Sequence, residues 1–343
     1  MKRLLNTLYV STPSSYLAKE NEQVVVKVDR ETKTSIPIHI LENIVCMGQV
    51  SCSPALMGLC AERGVGLAFV TEQGRFLARV QGPVSGNVLL RRAQYRAADD
   101  ASFKSRLAAR FVVAKIANTR TLLLRAHREN PENEGANAIR SASVYLADTL
   151  GSLKETLPLE SVRGKEGDAA RMYFSVFDHL ILMDKKDFVF RGRSRRPPMD
   201  NVNAMLSFLY TLLAHDCVSA LECVGLDPAV GFLHADRPGR PSLALDLMEE
   251  IRSVIVDRIV LSLINRKQVK ASGFEQSDVG GVTMNDATRK ILLTNYQERK
   301  QDELIHPFLQ EKIRMGLLPY AQSMLLARYL RGDLEGYPPF RWK

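Results

Sequence analysis

Cysteine is scarce in this 343-residue chain. The five cysteines, at 46, 52, 60, 217 and 223, are odd in number, with no C-x-x-C pair and no histidine at zinc-finger spacing. Neither a disulfide framework nor a structural zinc site is expected, and the cysteines read as small buried hydrophobes. Long apolar runs are missing too: none approaches the roughly 18–20 residues of a membrane span. Met1-Lys2-Arg3-Leu4-Leu5 meets Asn6 and Thr7 before a signal-peptide core can build, so a cytoplasmic location is expected. Gly164-Lys165 lacks the upstream glycine of a phosphate-binding loop, and Gly64-Val65-Gly66 lacks a third glycine and a βαβ context. With no Gly-x-Ser-x-Gly elbow either, a nucleotide-driven motor and a serine hydrolase have no support. Internal repeats and low-complexity tracts are also absent.

Acid is in deficit. Against 47 Lys and Arg stand 38 Asp and Glu, leaving a formal charge of +9, which favours a polyanionic partner. Residues 1–90 hold 9 basic and 7 acidic side chains, so the remaining 253 residues carry +7 of that charge. A 45% hydrophobic content is ordinary for a soluble chain and is enough to build two cores.

The expected fold is α+β, a small N-terminal β-sandwich-like domain over 1–87 and a larger, mostly α-helical domain over 88–343. Short β-branched runs lie at Leu8–Val10, Val24–Val28 and Ile36–Ile40. Val65–Val70 and Arg75–Val80 flank Thr71-Glu72-Gln73-Gly74 as a hairpin. Ser53 before Pro54 predicts a short helix over 53–62. The Gly82–Asn87 cluster is the best domain boundary, because the periodicity turns helical after it. Apolar spacing predicts helix from Val88 to Asn130 with a break near Asp99-Asp100, then over 135–155, 166–183, 200–224, 242–267, 286–305 and 309–331. Residues 268–285 read as a loop or short hairpin, and the Gly336–Lys343 tail as an extended segment against DNA or a partner.

Three stretches carry candidate chemistry. The first holds His234 in a loop that runs through Arg237-Pro238-Gly239-Arg240-Pro241 into a helix bearing Asp246, Glu249 and Glu250. Asp246 and Glu249, three apart, share a helix face. An imidazole with carboxylates suits Mg²⁺ or Mn²⁺. Acids on a helix are more often a solvated face, but the apolar Val230–Leu233 lead-in and the arginines 237 and 240 suit a metal-plus-phosphate site. In the second, Glu166 opens a helix between Gly164 and Gly167, where the competing reading is simple complementarity to the helix dipole. The third is a basic loop with Lys185, Lys186, Arg191, Arg193, Arg195 and Arg196 interleaved with Phe188 and Phe190. Such a loop suits a phosphate backbone or is merely solvated. Residues 88–130 add ten basic against three acidic side chains as a possible second stripe.

Taken in order, Glu166-Gly-Asp-Ala-Ala-Arg-Met-Tyr-Phe174, Arg193-Ser-Arg-Arg-Pro-Pro-Met-Asp-Asn-Val-Asn-Ala-Met-Leu-Ser-Phe-Leu-Tyr210, Gly231-Phe-Leu-His234 and Ser242-Leu-Ala-Leu-Asp246-Leu-Met-Glu249 resemble CRISPR-associated protein one, the integrase of spacer acquisition. The resemblance runs over essentially the whole chain. It implies a metal-dependent DNA integrase and endonuclease of the prokaryotic cytoplasm, in which the 3′-hydroxyl of a DNA fragment attacks a phosphodiester at a CRISPR repeat. The implied metal ligands are Glu166, His234 and Glu249, with Asp246 as an auxiliary acid. Many members carry Asp where Glu249 stands, a shorter carboxylate. Arg237 or Arg240 would contact phosphate, Tyr210 would lie near the DNA, and Arg193, Arg195 and Arg196 would bind it. The implied assembly is a homodimer, joined through the N-terminal domain, with a dimer of CRISPR-associated protein two. Two rival readings share these residues: a general metal-dependent nuclease that never joins ends, and a non-enzymatic DNA-binding scaffold.

Overall fold

The computed structural model describes residues 6–71, 76–80, 82, 88–153, 156–183, 185–277 and 280–342. The chain separates into two compact units, Met1–Gly86 and Asn87–Lys343.

The first unit holds β1 (Asn6–Val10), β2 (Tyr16–Glu20), β3 (Gln23–Val28), β4 (Glu31–Pro37), β5 (Leu41–Met47), β6 (Ser51–Cys52), α1 (Pro54–Arg63), β7 (Gly66–Val70) and β8 (Phe76–Val80). They form two four-stranded sheets, ordered β1-β5-β7-β8 and β4-β3-β2-β6. The β2-β3-β4 strands pair antiparallel, and the β3–β4 turn has Asp29 and Arg30 both at positive φ, 52° and 68°, as a tight hairpin turn requires. β1, β5 and β7 run parallel. Parallel neighbours need a crossover, and α1 supplies it between β5 and β7. Its start matches expectation, with Ser53 Oγ accepting the Leu56 N–H at 3.2 Å. Leu17 and Val24 of one sheet, Ile44 and Leu67 of the other, and Leu56 and Cys60 of α1 share one core. The expected strand over Ile36–Ile40 is cut at Pro37: Ile38–Ile40 is a 3₁₀ turn that buries Ile38. The 71–74 connection between β7 and β8 is described only at Thr71, and the Gly82–Asn87 cluster only at Gly82; the rest lies outside the described residues.

The second unit runs α2 (Val88–Asp99), α3 (Ala101–Glu129), α4 (Ala136–Ser152), α5 (Leu159–Ser175), α6 (Asn201–Cys223), α7 (Ser242–Arg252), α8 (Arg258–Asn265), β9 (Phe274–Gln276), β10 (Val282–Met284), α9 (Asp286–Gln301), β11 (Glu303–Ile305), β12 (Lys312–Arg314) and α10 (Leu318–Leu330). The break at Asp99-Asp100 is an N-cap: Asp100 accepts the N–H groups of Ser102 and Phe103, and such caps contribute about 1 kcal/mol each. β9 and β10 make the short hairpin read into 268–285.

Four expectations change. α5 begins at Leu159, so Glu166 lies in the helix interior and not its first turn. The 242–267 helix is interrupted by a π turn over Ser253–Asp257. The 309–331 stretch divides into the β11–β12 hairpin, closed by β12, and α10. The tail packs inward, with Tyr337 and Phe340 buried. Asn118 of α3 donates to the Phe340 carbonyl and accepts the Trp342 N–H. Helix α6 has the length and mean hydropathy to cross a membrane by those measures alone, but 61% of that window is buried inside the protein. It is the core helix against which α7 and α10 pack.

Candidate active site

The loop that carries His234 is pinned from two helices. Asp246, fully buried on α7, accepts three consecutive backbone N–H groups, those of Phe232, Leu233 and His234, at 2.7, 3.0 and 2.9 Å. Its Oδ1 also lies 2.7 Å from His234 Nδ1. From α5, Arg163 Nε donates to the Leu233 carbonyl at 2.8 Å. The loop passes so close to α7 that a Cβ on Gly231 would meet Ser242 Cβ at 2.7 Å, which explains the glycine. The result is a half-buried imidazole fixed in rotation, with Nε2 left outward.

One turn further along α7, Glu249 turns into the interior. Its Oε2 lies 2.7 Å from Lys115 Nζ on α3, and the same ammonium pairs with Glu166 of α5. Arg252, a turn beyond Glu249, approaches it at 3.3 Å. Burial alone would raise the Glu249 carboxyl; Arg252, Lys115 and His234 outweigh it and hold the group well below the usual carboxylate range. Two carboxylates from different helices therefore converge on one cationic centre, with His234 acting on the same site.

Behind Arg252 lies a buried polar stack. Its guanidinium sits over the rings of Phe174 and Tyr210, 5.5 and 5.1 Å from the centroids. Tyr210 and Tyr173 both donate their hydroxyls to Asp257, in the π turn. Arg193 also lies over the Tyr210 ring, 5.3 Å from its centroid, and donates to Asn203 Oδ1 at 2.7 Å and Ser207 Oγ at 3.1 Å. Tyr210 is 8% exposed, its hydroxyl donated to Asp257 within the protein. Arg193 is half-buried, its guanidinium bonded to α6. Phe188 and Phe190 are buried anchors, Phe190 packing on Phe174 and Phe177. With the aromatics turned in, Lys185, Lys186, Arg191, Arg195 and Arg196 project outward. Arg237 is exposed and Arg240 half-buried on the His234 side. Burial, then the charge of Arg237, lowers the Arg240 guanidinium.

The family model of "CRISPR associated protein Cas1" matches residues 8–298. This chain belongs to the Cas1 family. It is 57% identical over its whole length, and the whole of the relative's, to a CRISPR-associated endonuclease Cas1 of Chlorobaculum tepidum. Among solved structures, a casposase bound to integration product superposes with a TM-score of 0.82 at 23% identity, covering 96% of this chain and 92% of that one. A Cas6-RT-Cas1–Cas2 complex gives 0.80 at 23% identity, covering 98% of this chain and 36% of that one. These likenesses agree with the fold, strand-rich sheets followed by a helical part.

For this Cas1-family chain, the structure brings Glu166 and Glu249 together through Lys115 and places His234 and Asp246 in direct contact. Among the described residues, no three His, Cys, Asp or Glu side chains close around a single point. The donor chemistry nonetheless fits a divalent ion. Two carboxylates already converge on a cation, and an imidazole offers one nitrogen while its other is held by a carboxylate, the usual outer support of a metal-binding histidine. Sequence reading missed Lys115, Arg252 and Asp257. Lys115 had a signal: it is the lone charge in Phe111-Val112-Val113-Ala114-Lys115-Ile116, and a lysine there must find acid partners.

Proposed function

We propose that this chain is a divalent-metal-dependent DNA integrase and endonuclease of CRISPR spacer acquisition, with Glu166, His234 and Glu249 as ligands for Mg²⁺ or Mn²⁺. The observation that carries the reading is the convergence of Glu166 and Glu249 on one cationic centre beside an imidazole oriented by Asp246, in a Cas1-family chain.

Bound there, the ion would polarise the scissile phosphate and offset charge on the attacking and leaving oxygens. Asp246 holds His234 through Nδ1, leaving Nε2 as the nitrogen that would ligate the ion. Arg237 and Arg240 flank the imidazole and balance the remaining phosphate charge, while Lys185, Lys186, Arg191, Arg195 and Arg196 track the DNA backbone. Arg193 and Tyr210 support that surface from beneath. In joining, the fragment's 3′-oxygen forms a bond to phosphorus and loses its proton, and the target strand's 3′-oxygen leaves as a hydroxyl. With water as nucleophile the same exchange is cleavage.

The partners in this reading are duplex DNA fragments, the CRISPR repeat, a second copy of the chain and the Cas2 protein. The helical unit is the catalytic part and the strand-rich unit the dimerising one. The Cas1–Cas2 assembly among the structural neighbours supports the Cas2 assignment.

A strand-transfer assay tests the whole. Labelled short duplexes with 3′-hydroxyl ends, a supercoiled plasmid bearing a repeat, Mn²⁺ or Mg²⁺ and Cas2 are combined with wild type, Glu166→Ala or His234→Ala. Label joined to plasmid by wild type alone is expected. Cleavage without joining would leave only a nuclease. Joining by the variants would remove Glu166 and His234 from the site.

A further inference from the structure

We propose that Lys115 is a built-in counter-cation of the two site carboxylates: it neutralises Glu166 and Glu249 before metal arrives, competes with the divalent ion for them, and yields a carboxylate when that ion binds. The inference rests on the metal-site reading above and adds to it a residue from a third helix.

Lys115 is 4% exposed, in an apolar stretch of α3. An ammonium at that depth persists only where acid partners replace its water. Its two partners are the carboxylates assigned to the metal, Glu166 and Glu249. The cluster is balanced: Lys115 and Arg252 carry two positive charges against two negative ones. A divalent ion drawn to the same carboxylates therefore meets two cations already in contact with its ligands.

Of those two, Arg252 is the fixed one. Its guanidinium is stacked on Phe174 and Tyr210, and Asp257 adds to the electrostatic hold of Glu249 on it. Lys115 has no such stack; it ends in a point charge on a flexible four-carbon stem. Lys115 is accordingly the cation that gives way.

A simple structural prop would behave in the opposite sense. Removing a prop lets two like charges repel, Glu166 and Glu249 separate, and the metal binds more weakly. Removing a competing charge leaves both carboxylates to the metal, which binds more tightly. The sign of the change separates the two roles.

The measurement is Mn²⁺ binding to the full chain, by calorimetry and by the electron paramagnetic resonance of bound Mn²⁺. It uses wild type, Lys115→Met, Lys115→Arg and Glu166→Gln, each checked for folding by circular dichroism. Lys115→Met is expected to bind Mn²⁺ about tenfold more tightly or better, because a unit charge in contact with the ligands is gone. Lys115→Arg keeps the charge and should gain nothing. Should Lys115→Met fail to fold, Lys115→Gln, which keeps a neutral donor between the carboxylates, carries the same expectation. Weaker or unchanged binding by the neutral variant, with Glu166→Gln also weakened, overturns the role of Lys115 and leaves the metal site standing. Glu166→Gln binding like wild type overturns the metal site, and the role of Lys115 with it.

Discussion

Asp246 takes both the backbone N–H and the ring Nδ1 hydrogen of His234, at 2.9 and 2.7 Å. A carboxylate can only accept, so Nδ1 is the ring nitrogen that donates here. Two further N–H groups, from Phe232 and Leu233, complete a cradle that fixes loop and ring together.

Asp246→Asn therefore turns one acceptor into a donor facing N–H groups. Mn²⁺ affinity measured by calorimetry should fall about 10- to 100-fold. Strand transfer should fall with it, while Arg163 still holds the loop from the other helix. Unchanged affinity would show that the imidazole needs no orientation.

The basic loop divides into groups that differ in what they touch. Arg195→Ala with Arg196→Ala should weaken duplex binding and lower the slope of log K against log salt by about 1.8, as expected when two phosphate contacts are lost. Melting temperature should hardly change. Arg193→Ala should instead cost about 1–3 kcal/mol of stability, because Asn203 and Ser207 lose a buried donor. Titrations at several salt concentrations with parallel melts resolve the two behaviours.

His306 gives the fold a pH dependence. Its Nδ1 accepts the N–H groups of Phe308 and Leu309, and its Nε2 meets Gln322 Oε1 at 2.9 Å. Burial lowers its affinity for a proton, only partly offset by Gln322. The unfolded imidazole takes up its proton near pH 6.5 and the folded one only below that, so this stability is present above about 6.5 and lost as pH falls. Melting temperature should drop between pH 7 and 5. His306→Asn keeps an acceptor near Nδ1 without titrating, so its profile should be flatter over that window.

Phe340 is completely buried, against His306 at 5.8 Å between ring centroids. Phe340→Ala should cost about 3–5 kcal/mol, a fall in melting temperature on the order of 10 °C for a domain of this size. A loss near zero would mean that the tail does not pack in solution as described.

Local rules made much of the fold legible. Ser53-Pro54 marked α1, Asp100 the α2–α3 break and Asp200 the start of α6, because caps and turns are decided by neighbours in sequence. β5 was missed: Leu41-Glu42-Asn43-Ile44-Val45-Cys46-Met47 does not alternate, since a strand buried in a parallel sheet needs no polar face. At the site, Asp246 and Glu249 were legible because helical spacing sets them on one face beside the His234 loop. Lys115 was not, because its partner Glu166 lies 51 positions along the chain and only packing of α3 on α5 joins them. That Tyr210 and Phe190 point inward was not legible, because composition gives the residue type without the direction of its side chain.

Glu250 belongs to α7, yet its donors come from elsewhere: Gln322 of α10 and, 87 and 90 residues further on, the Tyr337 hydroxyl and Phe340 N–H. Burial pushes its carboxyl up to about 8, so it is costly to enclose until those groups arrive. A ribosome delivers α7 well before them. The helix that carries Asp246 and Glu249 thus reaches its final surroundings only after residues 337–340 have been made.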